Sequence, residues 1–174
     1  MNKLKFTIRD ATPEDAKYTS LIGIKGWKYA YTGIFSDERL KDNQIRKSSP
    51  ESIKRVEEFI GNGIGIKLVA VDMDGKVLGF KFNTPDEDGE WRGGGTYIDP
   101  DYIGMGIGRA LFIEFARRIS ALGKEKFWVN CATENKSMEF YKKLGGKTIK
   151  QSNEEKYENQ SISQLEFNVK DLIR

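Results

Sequence analysis

Three glycines at alternating positions, Gly104, Gly106 and Gly108, separate a β-rich run from an amphipathic helical pattern over residues 109–122. A strand that turns through glycines into a helix aims free backbone N–H groups and the positive end of the helix dipole at one point. Glycine suits such a turn because it adopts positive φ and lets the backbone approach a ligand closely. This arrangement predicts a binding site for a phosphate group.

Two common nucleotide-binding motifs do not fit this loop. The dinucleotide pattern G-x-G-x-x-G would require glycine where Arg109 stands, and the sequence contains no G-x-x-x-x-G-K-[ST] string. The same glycines would also serve a tight turn that binds nothing. The loop alone is compatible both with a ligand site and with a turn that binds nothing, and only the neighbouring sequence distinguishes the two.

The rest of the sequence predicts a mixed order of strands and helices in a single domain over residues 1–174, without an internal repeat or a linker. An Asp74-Gly75 step joins two β-rich runs and indicates a hairpin. Strands are predicted over residues 5–9, 67–71, 77–82, 127–131, 147–151 and 162–169, and another strand is predicted within residues 90–99, where Tyr97 and Ile98 fit a strand best. Helices are predicted over residues 13–31, 36–40, 49–60, 109–122 and 135–144.

Charge and hydropathy exclude several kinds of partner. The 29 basic and 26 acidic residues give a net charge of +3 and are spread along the chain, which gives no electrostatic case for nucleic acid. The apolar runs are too short to cross a bilayer, and residues 1–10 lack the apolar stretch of a signal peptide. We therefore expect a cytoplasmic protein with no membrane partner.

The absence of histidine limits the chemistry further. With no histidine and one cysteine, Cys131, the sequence cannot assemble the usual zinc or iron ligand sets, so we expect no metal. It also cannot form a Ser-His-Asp or Cys-His catalytic unit. Proton transfer would have to use Glu, Asp, Tyr, Lys, Cys or water.

Two ordered motifs resemble those of the GNAT superfamily of acetyl-CoA-dependent N-acyltransferases. Residues 97–111, YIDPDYIGMGIGRAL, are similar to the family's [QR]-x-x-G-x-[GA] loop and helix, and residues 135–145, NKSMEFYKKLG, are similar to its N-x-x-[AS]-x-x-[FL]-Y-x-x-x-G helix. The resemblance covers nearly the whole chain and implies an α/β (mixed α+β) fold. Its expected centre is a mostly antiparallel, twisted sheet of six to seven strands with helices on both faces. A parallel pair ending near Ile98 and Asn130 would splay apart into the cofactor slot.

This resemblance implies acetyl-CoA as the co-substrate and direct attack by a neutral amine. Backbone amides from Met105 to Ala110 would hold the pyrophosphate, and the strand edge at Tyr97 and Ile98 would pair with the pantetheine arm. The implied cofactor-binding residues are Tyr97, Ile98, Gly104, Met105, Gly106, Ile107, Gly108, Arg109, Ala110, Asn135 and Tyr141. The chain departs from the family pattern at Ile103, usually Gln or Arg, at Met105, frequently Lys, and at Met138, often Ala or Ser.

Tyr141 is the candidate general acid, because a phenol near the sulfur can protonate the departing thiolate; core packing is the alternative role for this ring. Glu90 is the candidate base, and Asp86 and Glu87 compete with it, since all three precede a predicted strand and would otherwise be exposed loop residues. A backbone N–H near Thr96 or Tyr97 would meet the oxyanion. Cys131 is not assigned a role, because no histidine activates it.

The segment WKYAYTGI, residues 27–34, resembles a W-x-x-A-Y-x-G-[IL] stretch in one group of bacterial GNAT proteins that includes polyamine acetyltransferases. Trp27 and Tyr31 are therefore candidates for the wall of the acceptor site, with core packing as the alternative. The resulting prediction is an N-acetyltransferase acting on a primary amine of a small molecule, peptide or protein. The sequence is also compatible with a homodimer. An acyl-CoA-binding module without turnover and a nucleotide-binding interaction domain are the competing interpretations.

Overall fold

The computed structural model describes residues 4–174, in which strands and helices alternate along the chain. The strands are β1 (Phe6–Asp10), β2 (Ile66–Asp72), β3 (Val77–Asn83), β4 (Gly95–Ile98), β5 (Lys126–Ala132), β6 (Lys147–Glu154) and β7 (Gln160–Asn168). The helices are α1 (Ala16–Tyr31), α2 (Asp37–Ser48), α3 (Pro50–Gly61), α4 (Ile107–Ala121), α5 (Met138–Lys143) and α6 (Val169–Leu172).

The strands form two antiparallel sheets, one in the order β1-β2-β3-β4 and the other in the order β5-β7-β6. A single parallel bridge between Arg92 and Trp128 joins them. At this bridge the Trp128 N–H donates to the Trp91 carbonyl at 2.9 Å, and the Gly93 N–H donates to the Trp128 carbonyl at 3.1 Å. Beyond it β4 and β5 are not paired, which confirms the predicted mostly antiparallel, mixed α/β fold with a splayed parallel pair.

Helices cover both faces of the sheets. Helix α4 lies on one face, where Leu111, Phe112 and Phe115 are fully buried and Phe127 stacks on Phe167 with ring centroids 5.0 Å apart. Helix α1 covers the opposite face of the first sheet through a smaller cluster that contains Ile22, Val69, Val71, Val77 and Phe80. Burial of each large apolar side chain contributes about 1.5–3 kcal/mol to folding. Within the described range 4–174, no helix combines the length and apolarity needed to cross a membrane.

Lys81 is an unusual member of the larger core. It lies in β3 between Phe80 and Phe82 and is 0% exposed, because α4 covers the face of the sheet to which it points. Its Nζ donates to Thr96 Oγ1 at 3.3 Å and lies 4.6 and 4.2 Å from the ring centroids of Phe112 and Phe115. Burial lowers the pKa of Lys81 to about 7, since the charged form loses its hydration in this apolar setting.

The strand predicted within residues 90–99 is regular only over Gly95–Ile98. Gly93 and Gly94 have φ of 89° and 80°, and a Cβ at position 94 would lie 2.6 Å from the Phe82 carbonyl oxygen. Left-handed backbone at two successive residues does not fit a strand ladder. The glycines thus bring the chain close to the end of β3 before β4 begins.

Two helices differ from their predicted bounds. The short helix predicted over residues 36–40 continues to Ser48, and Ser36 caps its start by accepting a hydrogen bond from the Arg39 N–H. The helix predicted from Asn135 begins instead at Met138. Asn135 precedes it in a turn, where its Oδ1 accepts a hydrogen bond from the Ser137 N–H at 2.8 Å.

The end of the chain also contains more regular structure than the sequence indicated. The sequence predicts a strand that ends at residue 151, whereas β6 extends to Glu154 and a short 3-10 turn, Glu155–Tyr157, leads into β7. The last residues of β6 carry no strand pattern in the sequence, because β6 is an edge strand with mostly exposed, polar side chains.

Candidate functional site

A cleft with a volume of about 400 Å³ opens where β4 and β5 separate. Its walls come from α1, β4, the glycine loop, the first turn of α4, β5 and residues 135–141. Predicted site residues that line it are Tyr31, Tyr97, Ile98, Gly104, Gly106, Ile107, Gly108, Arg109, Asn135 and Tyr141. Segments that are far apart in the sequence therefore meet in one place.

The loop glycines are required for two different reasons. Gly104 and Gly106 have φ of 85° and 86°, and a Cβ at either position would meet nothing within 4 Å, so the left-handed backbone is what favours glycine there. Gly106 also stands at the N-cap of α4. Gly108 has ordinary helical geometry, but its Cβ would lie 3.1 Å from Cζ of Phe140. Packing between α4 and α5 therefore sets the residue at position 108.

The first turn of α4 presents backbone donors to one end of the cleft. The first i→i−4 bond of the helix runs from the Ala110 N–H to the Gly106 carbonyl at 3.1 Å. The N–H groups of Ile107, Gly108 and Arg109 precede that bond and have no acceptor inside the helix. Together with the helix dipole they form a favourable place for an anion.

Met105 and Ala110, at the ends of the predicted phosphate cradle, lie outside the cleft lining. The Met105 N–H donates to the Tyr102 carbonyl at 3.4 Å, and the Ala110 N–H is used within the helix. The Met105 side chain is 47% exposed. The backbone N–H groups available to an anion are thus those of residues 107–109 and not all of those predicted over residues 105–110.

The cleft side of β4 is open for backbone pairing. On its other side β4 pairs with β3, with Tyr97 opposite Phe80 and Ile98 opposite Gly79. An extended molecule that carries amide groups can add to a free strand edge of this kind. The expectation that Tyr97 and Ile98 lie at such an edge agrees with this geometry.

Tyr141, on α5, lies in the cleft wall and is 8% exposed. Its ring packs against Phe112 and Phe167, with centroid distances of 5.7 and 6.3 Å. Burial, with smaller contributions from Cys131 and the neighbouring tyrosines, raises the pKa of Tyr141 well above its usual range. Tyr141 therefore remains a protonated phenol at neutral pH, as a general acid must.

Of the two predicted acceptor-site aromatics, only Tyr31 lines the cleft. Burial raises the pKa of Tyr31 to about 12, and a hydrogen bond with the Asn135 side chain opposes that rise. Trp27 lies behind Tyr31, with ring centroids 5.0 Å apart, and also stacks on Phe35 at 5.4 Å. Trp27 thus supports the wall from behind.

The structure does not bring the candidate bases into the cleft. Glu90 pairs with Lys124 at 3.3 Å, and Asp86 pairs with Arg92 at 2.6 Å. Neither these two nor Glu87 line the cleft, and among residues 4–174 no aspartate or glutamate does. The left-handed turn at Gly93 and Gly94 separates this acidic segment from β4.

Cys131 does line the cleft, on β5. Burial raises the pKa of the Cys131 thiol to about 12, and its Sγ donates to the Ala132 carbonyl at 3.4 Å. The thiol is therefore protonated at neutral pH, so it is not an activated nucleophile. In the part of the chain that the structure describes, no group of three His, Cys, Asp or Glu side chains is placed to hold a metal.

A second cavity, which the sequence did not indicate, adjoins the cleft and has a volume of about 580 Å³. It lies between α1, α3, the end of α2 and strand β3, and it shares Gly94, Gly95 and Tyr97 with the cleft. Its lining residues come from five separate elements without a fixed spacing, so no sequence motif could have marked it. The second cavity and the cleft are thus adjacent at the start of β4.

The chain was compared with a family model, with curated proteins and with solved structures. Residues 65–145 match the model of the acetyltransferase (GNAT) domain. No curated protein matches the chain. The structure resembles that of PaiA N-acetyltransferase from Thermoplasma acidophilum in complex with coenzyme A, with 22% identity over 94% of this chain and 100% of that one and a TM-score of 0.75.

Two further solved structures share the fold. One is the acetyltransferase YncA from Salmonella typhimurium with acetyl-CoA, which has 18% identity, covers 97% of this chain and 95% of that one, and has a TM-score of 0.64. The other is a spermidine N-acetyltransferase SpeG chimera from Vibrio cholerae and hSSAT, with 16% identity, coverage of 97% and 98%, and a TM-score of 0.71. The family match spans the glycine loop and the α5 motif. Residues 65–145 are therefore similar to the acetyltransferase (GNAT) domain, and the chain shares the fold of these solved structures.

Proposed function

We propose that the protein transfers an acetyl group from acetyl-CoA to a primary amine by direct attack in a ternary complex. The observation that carries this proposal is the convergence, in one cleft, of free helix N–H donors, an open strand edge and the protonated phenol of Tyr141. Neighbours of the same fold have been solved with coenzyme A and with acetyl-CoA bound.

The donor site fits acetyl-CoA at two points. The N–H groups of Ile107, Gly108 and Arg109 are suited to the pyrophosphate, and the edge of β4 at Tyr97 and Ile98 is suited to the amides of the pantetheine arm. The space around Gly104 and Gly106 keeps side chains away from the phosphates. Acetyl-CoA supplies the activated thioester, and the chain positions it.

The thioester end would lie toward Tyr141 and Cys131, which both line the cleft. The amine nitrogen attacks the thioester carbonyl carbon, the carbon–sulfur bond breaks, and Tyr141 donates its proton to the departing sulfur. Direct attack is favoured over acyl transfer through Cys131, because a thiol with a pKa of about 12 is a poor nucleophile at neutral pH. We expect intersecting initial-rate plots, because acetyl-CoA and the amine must both be bound before a product leaves.

Removal of the amine's proton is the step for which the cleft offers no carboxylate. Among the described residues, neither the cleft nor the second cavity is lined by Asp or Glu. We infer that the amine binds in its neutral form or loses its proton to water. Glu90, the base proposed from the sequence, is held by Lys124 and is not assigned this role.

An acyl-CoA-binding module without turnover is the second candidate, and the missing carboxylate is the observation that favours it. Tyr141→Phe distinguishes the two. For the enzyme, we expect turnover to fall by about 10²-fold or more with acetyl-CoA affinity nearly unchanged, because the donor hydroxyl is lost and the ring remains. Tyr29→Phe is the matched control, since Tyr29 also lines the cleft but is 44% exposed. Absence of CoA release by the wild type across a panel of amines would favour the binding module.

A further inference from the structure

The second cavity is lined by cations that have no acidic partner. Lys47, from α2, and Arg55, from α3, form no ion pair within residues 4–174, and no Asp or Glu lines the cavity. Arg92 also lines it, but Asp86 and Asp88 neutralise that guanidinium at 2.6 and 3.4 Å. Burial and the nearby Arg46 lower the pKa of Lys47, as expected for a cation without a counter-ion. The second cavity therefore favours an anion.

Near the cleft, the same cavity contains buried polar atoms without partners. Asn83 is 2% exposed; its Nδ2 donates to the Gly93 carbonyl at 3.1 Å, whereas its buried Oδ1 has no hydrogen-bond partner. The buried Ser20 Oγ is also without a partner. Buried polar groups are normally paired, so an unpaired acceptor in a cavity wall marks a place for a donor from a ligand. An amine N–H is a suitable donor for Asn83 Oδ1.

Aromatic rings line the remaining wall. Phe80 lies 4.7 Å from Phe82 and 5.6 Å from Tyr97, and Phe59 lies 6.1 Å from Phe82, all as centroid distances. These rings give the cavity an apolar surface in addition to the cationic side chains and Asn83. The cavity thus offers three kinds of contact to one molecule: an anion contact, an apolar contact and an acceptor for an amine.

We propose that the acceptor is an amine that carries a carboxylate on an apolar body, such as an aromatic amino acid, and that it binds in the second cavity. This inference rests on the proposed acetyl transfer. Lys47 and Arg55 bind the carboxylate, the aromatic rings contact the apolar body, and Asn83 Oδ1 accepts from the amine next to β4. A polyamine, which carries only positive charges, is disfavoured by the same cations.

The reaction for such an acceptor balances without a further reactant. A nitrogen–carbon bond forms at the thioester carbonyl, the carbon–sulfur bond breaks, the sulfur takes the proton of Tyr141, and water receives the proton lost by the amine. The tyrosinate is then reprotonated from solvent. The products are an N-acetyl amino acid and CoA.

The first test compares three amines as substrates of the full chain with acetyl-CoA: phenylalanine, phenethylamine, which lacks only the carboxylate, and spermidine. CoA release reports turnover. We expect kcat/KM for phenylalanine to exceed that for the other two by about tenfold or more, since the carboxylate contact is lost in both. Equal or better use of phenethylamine or spermidine would overturn the inference.

Variants then assign the carboxylate contact. Lys47→Gln and Arg55→Gln are expected to raise KM for phenylalanine by about tenfold, because a charged hydrogen bond to the carboxylate is removed, and not to raise KM for phenethylamine, which has no carboxylate and is repelled by the cation. Lys54→Gln is the matched control, since Lys54 is exposed on the same helix as Arg55 and does not line the cavity. A loss no larger than in the control would contradict the assignment.

Calorimetry with CoA present separates this inference from the proposed function. Phenylalanine that binds more tightly than phenethylamine, with the preference lost in Arg55→Gln, supports the acceptor site even without turnover. In that case only the transfer reaction would be rejected. Absence of any preference for the carboxylate would overturn the inference, whatever the rate of CoA release.

Discussion

Gly108, in the first turn of α4, lies against the ring of Phe140 on α5, so that a Cβ at position 108 would be 3.1 Å from Phe140 Cζ. The glycine loop and the α5 motif are therefore in direct contact. Both helices form walls of the same cleft, so we expect this contact to help position the α4 N–H donors.

Gly108→Ala is expected to weaken acetyl-CoA binding by about tenfold, because the methyl group moves the first turn of α4 away from its present position. Helix propensity alone would favour alanine at position 108 by about 1 kcal/mol, so a loss of acetyl-CoA affinity could not be attributed to a less stable helix. Isothermal titration gives the affinity. Adding Phe140→Leu should restore much of it by making room for the methyl. Wild-type affinity in the single variant would show that Phe140 yields without moving α4.

Gly106→Ala tests the left-handed backbone. A Cβ there meets nothing within 4 Å, so the expected loss of about 1–2 kcal/mol in the free energy of unfolding comes from positive φ alone. Gly123→Ala is the matched control, since Gly123, just beyond the other end of α4, has φ of 74° and equally open surroundings. Urea denaturation should show similar losses for both. Only Gly106→Ala should weaken acetyl-CoA binding, and an equal effect of both on affinity would argue against the loop as the phosphate site.

Lys81 predicts how stability depends on pH. Its pKa falls from 10.5 in the unfolded chain to about 7 in the folded protein, so between these values the unfolded state binds more protons. The contribution of Lys81 to the free energy of unfolding therefore rises with pH across this window, by at most about 1.4 kcal/mol per pH unit, and is flat outside it.

Lys81→Met should remove this slope and stabilise the protein at pH 7, because no cation has to be deprotonated or buried on folding. Urea denaturation between pH 6.5 and 9.5 measures the effect. Lys150→Met, at an exposed position in β6, is the control and should keep the wild-type slope. A Lys81 variant with the wild-type slope would show that Lys81 titrates normally in the fold.

Much of the fold could be predicted because most elements carry strong local patterns. The apolar periodicity of α4 and the Asp74-Gly75 hairpin depend on near neighbours, and both were placed within two residues of their observed bounds. Helix α2 was underestimated because its composition is mostly polar and its Ile45 is 60% exposed, so no apolar stripe marks its length. The length of β4 was harder to predict, because it is set by the left-handed turn at Gly93 and Gly94, which brings the chain against the end of β3.

The geometry of the proposed acetyl-CoA site could be anticipated for the same reason, although its role stays a prediction. Backbone N–H groups and a strand edge follow from local geometry, which glycines and caps record in the sequence. The proposed acceptor site instead uses Lys47, Arg55 and Asn83, whose proximity depends on how three elements pack. Lys81 was overlooked because a polar residue between Phe80 and Phe82 is typical of a strand with one solvated face, whereas α4 covers that face here.

The sheets meet at the Arg92–Trp128 bridge, and beyond it the facing edges of β4 and β5 are not hydrogen-bonded to each other. A molecule whose amides pair with β4 would occupy this gap as an additional strand. Its release would leave the edge of β4 unpaired again. Ligand binding is thus expected to couple the two half-sheets, and backbone amide exchange along the facing edges of β4 and β5 should be faster without ligand than with it.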